Sequence, residues 1–312
     1  MAGGAFSSAP HPAGIFATLH PSLPDLTTEA RRASSPAMAR GILAEAQELM
    51  RNALDHGESE TALAFWFSRT LQEWAESPAV EEITGGARLR FTGAVARFDA
   101  IPTDSVTWFL VGDAPGANEQ LRELFGGADL HVGDLPAPAP REDWDAAAAR
   151  AAEQGDVDKL AYWVDAGYLD DPAVADALLV PSLAHMPPAL RLAEGLPDYD
   201  TPVDVRGTLM EPVVAVARWA GLLADASSGD APHRLDRARD HGVLTEDEAE
   251  ALTQAWATGL SMELRSWRHG TWGKEETMRS LPSLDRSAYG AAARLVSVAL
   301  RSIAGRHGLS VG

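Results

Sequence analysis

Apolar residues recur at helical spacing through most of the chain and at strand spacing in one short region. From about Ser35, Leu43, Ala46, Met50 and Ala53 fall on one helical face, and the His56-Gly57 pair breaks the run. A second helix sets Leu63, Phe67, Leu71 and Trp74 on one stripe, with Pro78 just past its end. The period then shortens. Arg88-Leu89-Arg90-Phe91 alternates, and Val106 to Val111 is rich in β-branched and aromatic residues, so both segments predict strands. Gly127 to Val132 is a weaker third candidate, followed by a Pro-rich connector at 135–140 (LPAPAP).

Helical spacing resumes near Glu142. Leu209, Val213, Val216, Ala220 and Leu223 recur at steps of four and three. Thr245 and Glu248 fit a capping box that opens a helix carrying Leu252, Trp256, Leu260, Leu264 and Trp267 on one face. A last helix carries Tyr289, Ala293, Val296, Leu300 and Ile303. Several amphipathic helices with short links predict an all-α bundle whose stripes face inward. Residues 1–35, rich in Pro, Ala, Ser and Gly and without a period, read as a disordered tail. The expected class is α+β: a tail over 1–35, a strand-containing domain with N-terminal helices over 36–140, and a helical domain over 141–312.

Composition narrows the functions open to such a chain. Its 312 residues are 46% apolar, enough for a sizeable core. Asp and Glu (45) outnumber Lys and Arg (26), giving a formal charge of −19. That balance excludes a broad grip on nucleic-acid backbones or anionic lipid, which needs clustered cations. No run is long and apolar enough to span a bilayer, and the N-terminus lacks a signal-peptide pattern, so the expectation is a soluble, cytoplasmic protein. With no cysteine there is no disulfide, thiolate metal site or thiol nucleophile. The G-x-S-x-G match at 308–312 has no following helix, because the given sequence stops there. The nine histidines show no i, i+4 pair, and no Walker-type or dinucleotide-binding glycine loop is present.

The informative segment is Phe91 to Val111 (FTGAVARFDAIPTDSVTWFLV): a strand, a Gly-small turn, about ten residues, and a second strand. This layout resembles the nucleotidyltransferase superfamily related to DNA polymerase beta. Gly93 to Asp99 (GAVARFD) is similar to the G-S-x-x-R-x-E turn of signal-transduction nucleotidyltransferases, relatives of the catalytic part of protein-PII uridylyltransferase. Residues 196–206 (LPDYDTPVDVR), leading into 209–219 (LMEPVVAVARW), look like the start of that family's helical substrate-binding domain. Arg234-Leu235, Gly242 to Thr245, Leu252 and Leu284 to Arg286 continue its landmarks in order, so the similarity spans roughly residues 36–304.

The resemblance implies a small nucleotidyltransferase domain followed by a helical bundle. It also implies transfer of UMP or AMP from a nucleoside triphosphate to a protein or small acceptor, with Mg²⁺ as cofactor. In such enzymes, residues i and i+2 of one strand present paired carboxylates on one side, and these hold the ions that bridge the phosphates. Here the paired positions are Ser105 and Thr107, and neither is acidic. Ala94 lacks the hydroxyl of the turn. Gly93, Arg97 and Asp99 keep the turn, the cation and an acid, Asp104 sits one residue from the metal position, and Asp129 is a further carboxylate on the third candidate strand. The resemblance therefore assigns nucleotide binding to Gly93, Ala94, Arg97, Asp99, Ser105 and Thr107. It assigns catalysis to Asp104 and metal binding to Asp104 and Asp129, in a site short of acids. The alternative is a catalytically inactive module that senses a nucleotide or binds a partner protein.

Overall fold

A computed structural model of the chain describes residues 19–188, 192–193, 196–197, 199–274 and 276–310. Residues 1–18 of the expected tail, and Asp198 within the 196–206 landmark, lie outside them. The rest of the expected tail is corrected. Ser22–Ala30 forms helix α1, which buries Leu23, Leu26 and Ala30, and Trp66 donates its indole N–H to the carbonyl of Leu23 at 2.7 Å. Three apolar residues at steps of three and four suffice to dock one short helix, and the surrounding Pro and Ser hid them from a reading based on composition.

Helices α2 (Pro36–Asp55) and α3 (Glu60–Ala75) follow the expected stripes. Ser35 caps α2 by accepting from the amide of Met38, an N-cap arrangement that satisfies one orphan donor. Pro78 opens a short helix α4 (Pro78–Thr84). Strand β1 (Arg88–Thr92) pairs antiparallel with β2 (Thr107–Val111), Thr92 facing Thr107. Between them, Gly93–Arg97 is a one-turn helix α5.

β2 is buried on both faces, which is why its sequence is a continuous apolar run without alternation. On one face Trp108 stacks on Phe125 of α6 (Ala117–Gly126), centroids 5.3 Å apart. On the other, Phe109 meets Trp144 of α7 (Arg141–Gln154) and Trp163 of α8 (Val157–Asp165). The third candidate strand is reduced to a single parallel bridge of Val132 to Val106, and the Pro-rich connector adds another, Ala139 to Val111. Gly127 to Leu130 instead closes α6 through amide bonds back to its last turn, and Asp129 takes a left-handed backbone there.

The C-terminal part is built from α9 (Ala175–Ala184), a π-helical turn at Arg206–Met210, α10 (Glu211–Leu223), α11 (Ala231–Asp240), α12 (Glu246–Arg268) and α13 (Ser283–Arg306). The capping box forms as expected: Thr245 accepts from the Glu248 amide, and Glu248 accepts from the Thr245 amide. The stripes of α12 and α13 are buried, except that Trp267 is half-buried under the Arg51 guanidinium and Leu223 at the end of α10 is exposed. The expectation of helix alone is corrected by two short antiparallel pairs, Leu192–Ala193 with Leu196–Pro197 and Pro202–Val203 with Glu276–Thr277. Pro197 and Pro202 remove the N–H groups a helix would need there. No helix among the described residues is long and apolar enough to cross a membrane.

Candidate functional site

Gly93 has φ +63°, a left-handed conformation that costs a residue with a side chain. A Cβ there would lie 3.4 Å from Thr107 Oγ1, so the turn and the start of β2 are in contact. Past the turn, Ala94, Arg97, Asp99 and Asp104 form one wall of a cleft of about 330 Å³. The other wall comes from the helical part and includes Ser182, His185, Arg206, Glu211, Arg218 and Trp256. Four of the expected site residues therefore share a cleft, and Gly93, next to Ala94, does not line it. Ser105 and Thr107 do not line it: they lie against Gly133, at whose position a Cβ would meet Thr107 Cγ2 at 2.7 Å and Ser105 Cβ at 3.6 Å. Asp129 is exposed at the end of α6 and does not line the cleft.

Two charge clusters tie the walls together. Asp165, at the end of α8, is almost fully buried and binds three guanidiniums. Arg97 Nη1 donates to it at 2.6 Å, Arg218 at 3.0 and 2.8 Å, and Arg234 Nη1 at 3.5 Å. Burial acts to raise the Asp165 pKa, but Arg218, Arg97 and Arg234 outweigh it and hold the group well below the usual carboxylate range. Arg97 also donates through Nε to Asp99 at 3.1 Å. Asp99 is buried, and desolvation, only partly offset by Arg97, pushes its pKa up to about 6. Three guanidiniums thus meet two carboxylates, one of which is reluctant to ionise.

The second cluster centres on Arg206. Asp204 accepts from the amide of Gly207 at 2.8 Å and so fixes the start of the π turn. Proline cannot donate to the helix ladder and clashes with the carbonyl four residues back, and Pro212 sits just past this widened turn. α12 approaches closely because residue 259 is glycine; a Cβ there would come within 2.8 Å of Met210 Cγ. One turn farther along α12, Glu263 reaches Arg206 Nη2 at 3.4 Å. Arg206 Nη1 binds Asp104 Oδ1, and Nη2 also lies 3.3 Å from Thr103 Oγ1. Asp104 Oδ2 accepts from the Ile101 amide at 2.8 Å, so both oxygens are engaged.

A divalent ion does not fit this arrangement. The Arg206 guanidinium already sits on the carboxylate expected to hold it, and a double charge about 4 Å away would meet roughly 8 kcal/mol of repulsion at an effective dielectric of 20, which offsets the attraction of one carboxylate at a similar distance. Among the described residues, no group of three or more His, Asp or Glu converges as ligands. The lining sets three guanidiniums, of Arg97, Arg206 and Arg218, beside four carboxylates, of Asp99, Asp104, Asp158 and Glu211. Arg97 and Arg218 each spend two nitrogens on carboxylates, and Arg206 engages Asp104, Thr103 and Glu263 through its two terminal ones. Among the described residues Arg97 Nη2, Arg218 Nη1 and Arg206 Nε lack a carboxylate partner. Two further polar atoms of the lining, Trp256 Nε1 and Asp99 Oδ1, are buried and have no partner among the described residues. Such atoms are costly unless something supplies the bond: the Trp256 N–H needs an acceptor, and Asp99 Oδ1 needs a donor or a proton of its own.

The sequence reading named one wall and missed the other. Arg206, Arg218 and Arg234 stood in its quoted landmarks without a role, while Asp165 and Glu263 carried no motif. Residues 172–306 match the family described as "Putative nucleotidyltransferase substrate binding domain". The match lies wholly in the helical part and contains Arg206, Arg218, Arg234 and Glu263, and it supports a nucleotidyltransferase-like relationship. No curated protein matches the chain.

Proposed function

We propose that the chain is a nucleotidyltransferase-like module that binds a nucleoside triphosphate in this cleft and is impaired in transferring the nucleotide. The observation that carries the reading is the convergence of Arg97, Arg206 and Arg218 from both parts of the chain on one cleft that also holds the partnerless indole N–H of Trp256. The family match of the helical wall supports it. Arginine provides planar, permanently charged donors suited to phosphate, and Trp256 adds an N–H from a fully buried indole. Impairment follows from the acid count. Ser105 and Thr107 bring no charge to the paired positions, and Asp104 is already neutralised by Arg206. Transfer of UMP or AMP to a protein or small acceptor would need an attacking hydroxyl aligned and the leaving pyrophosphate neutralised, and no residue of the cleft does both.

The test combines two measurements on the intact chain. Each nucleoside triphosphate is added and the melting temperature followed, with α-phosphate-labelled triphosphate and candidate acceptors tracked in parallel. A rise in melting temperature with no covalent label is expected, since a ligand at about 100 times its Kd stabilises by about 2.7 kcal/mol. No rise with any triphosphate would remove the nucleotide from the reading. Label on an acceptor would show that transfer survives.

A further inference from the structure

Two carboxylates from distant parts of the chain, Asp104 in the cleft lining before β2 and, outside that lining, Glu263 on α12, converge on the Arg206 guanidinium, and both are largely buried. Buried carboxylates near one another stay ionised only when a cation or hydrogen-bond donors offset the desolvation. The structure assigns that role to the guanidinium of Arg206, as a built-in replacement for a divalent ion, so that phosphate is bound in this cleft without metal. Where it concerns phosphate, this rests on the nucleotide reading above; where it concerns the cation, it stands on the geometry alone.

Four features fit a dedicated replacement better than a chance surface pair. Arg206 bridges both acids at once and also touches the Thr103 hydroxyl, so its two terminal nitrogens meet three oxygen-bearing side chains. The remaining Asp104 oxygen accepts from the Ile101 amide, so both oxygens already have a donor. The π turn and the close approach at Gly259 place Arg206 opposite Glu263. Finally, Arg206 is itself part of the cleft lining, so the same guanidinium that neutralises the acids can face a phosphate. A metal ion would have supplied both contacts; a guanidinium supplies them permanently and cannot be chelated away.

The decisive experiment measures Mn²⁺ by electron paramagnetic resonance, and triphosphate by calorimetry in EDTA and in Mg²⁺. Wild type is expected to bind no stoichiometric Mn²⁺ and to hold triphosphate equally well in both buffers. Arg206→Ala is expected to gain one Mn²⁺ site, about tenfold or more tighter than wild type because the like-charge repulsion is gone. Adding Asp104→Asn to that variant should abolish the site. Arg206→Met, which keeps the side-chain bulk, serves as the second variant should the alanine form fold poorly. A wild-type Mn²⁺ site lost in Asp104→Asn would overturn the assignment, as would no Mn²⁺ gain in either Arg206 variant. Triphosphate binding that vanishes in EDTA and returns with Mg²⁺ would overturn it too. Failure of triphosphate to bind in either buffer would sink only the nucleotide reading, since the Mn²⁺ measurement decides the role of Arg206 by itself.

Discussion

Asp165 and Asp99 sit side by side against Arg97, yet pH should act on them in opposite directions. The folded-state pKa of Asp165 is depressed, so its contribution to stability is present above the unfolded value near 4 and is lost as pH falls towards the folded one. The folded-state pKa of Asp99 is raised to about 6, so its ionisation costs stability that grows as pH climbs from about 4 to 6 and is constant above. Urea denaturation of Asp99→Asn should therefore lack a decline of about 2–3 kcal/mol that wild type shows between those pH values; an identical decline in both would contradict the raised pKa. Asp165→Asn should lose about 3–5 kcal/mol at pH 7, because three guanidiniums are left facing each other without their shared anion. A loss below about 1 kcal/mol, the range of exposed pairs, would show that the cluster is solvated and not structural.

At the scale of elements, local chemistry was legible and distant pairing was not. The capping box of α12, the break at Gly57 and the stripes of α2, α3 and α13 follow from residues within a few positions of one another, and each stands where the pattern put it. Thr245→Ala should cost about 1 kcal/mol in equilibrium unfolding; no change would mean that Glu248, also held by Arg306, carries that helix start alone. β1 and β2 were legible too, the latter because burial on both faces makes an unbroken apolar run. α1 was missed since three buried residues are a weak signal inside a Pro- and Ser-rich stretch. The strand expected at Gly127 to Val132 failed because its first half is needed to end α6. Half the cleft was unreadable for a different reason: Asp104 meets Arg206 across 102 positions and Arg218 meets Asp165 across 53. Periodicity carries no information at such separations, and the landmarks around Arg206 and Arg218 hinted at their importance without naming partners.

At the scale of the molecule, the two charge clusters do more than line a cleft. Each joins the strand-containing part to the helical part, through Arg97 on Asp165 on one side and Asp104 on Arg206 on the other, with Arg218 completing the first cluster and Glu263 the second. A phosphate-bearing ligand entering between them would touch both parts and so favour their present arrangement over any more open one. Where such a ligand sits, and what lies beside Asp104, is the decisive question. The most direct measurement is a crystal structure of the chain soaked with a nucleoside triphosphate and Mn²⁺, with anomalous data collected for manganese. Phosphate density is expected against Arg97, Arg206 and Arg218, with no manganese peak between Asp104 and Glu263. Triphosphate density elsewhere, or a manganese peak on Asp104 with Arg206 displaced, would contradict that expectation.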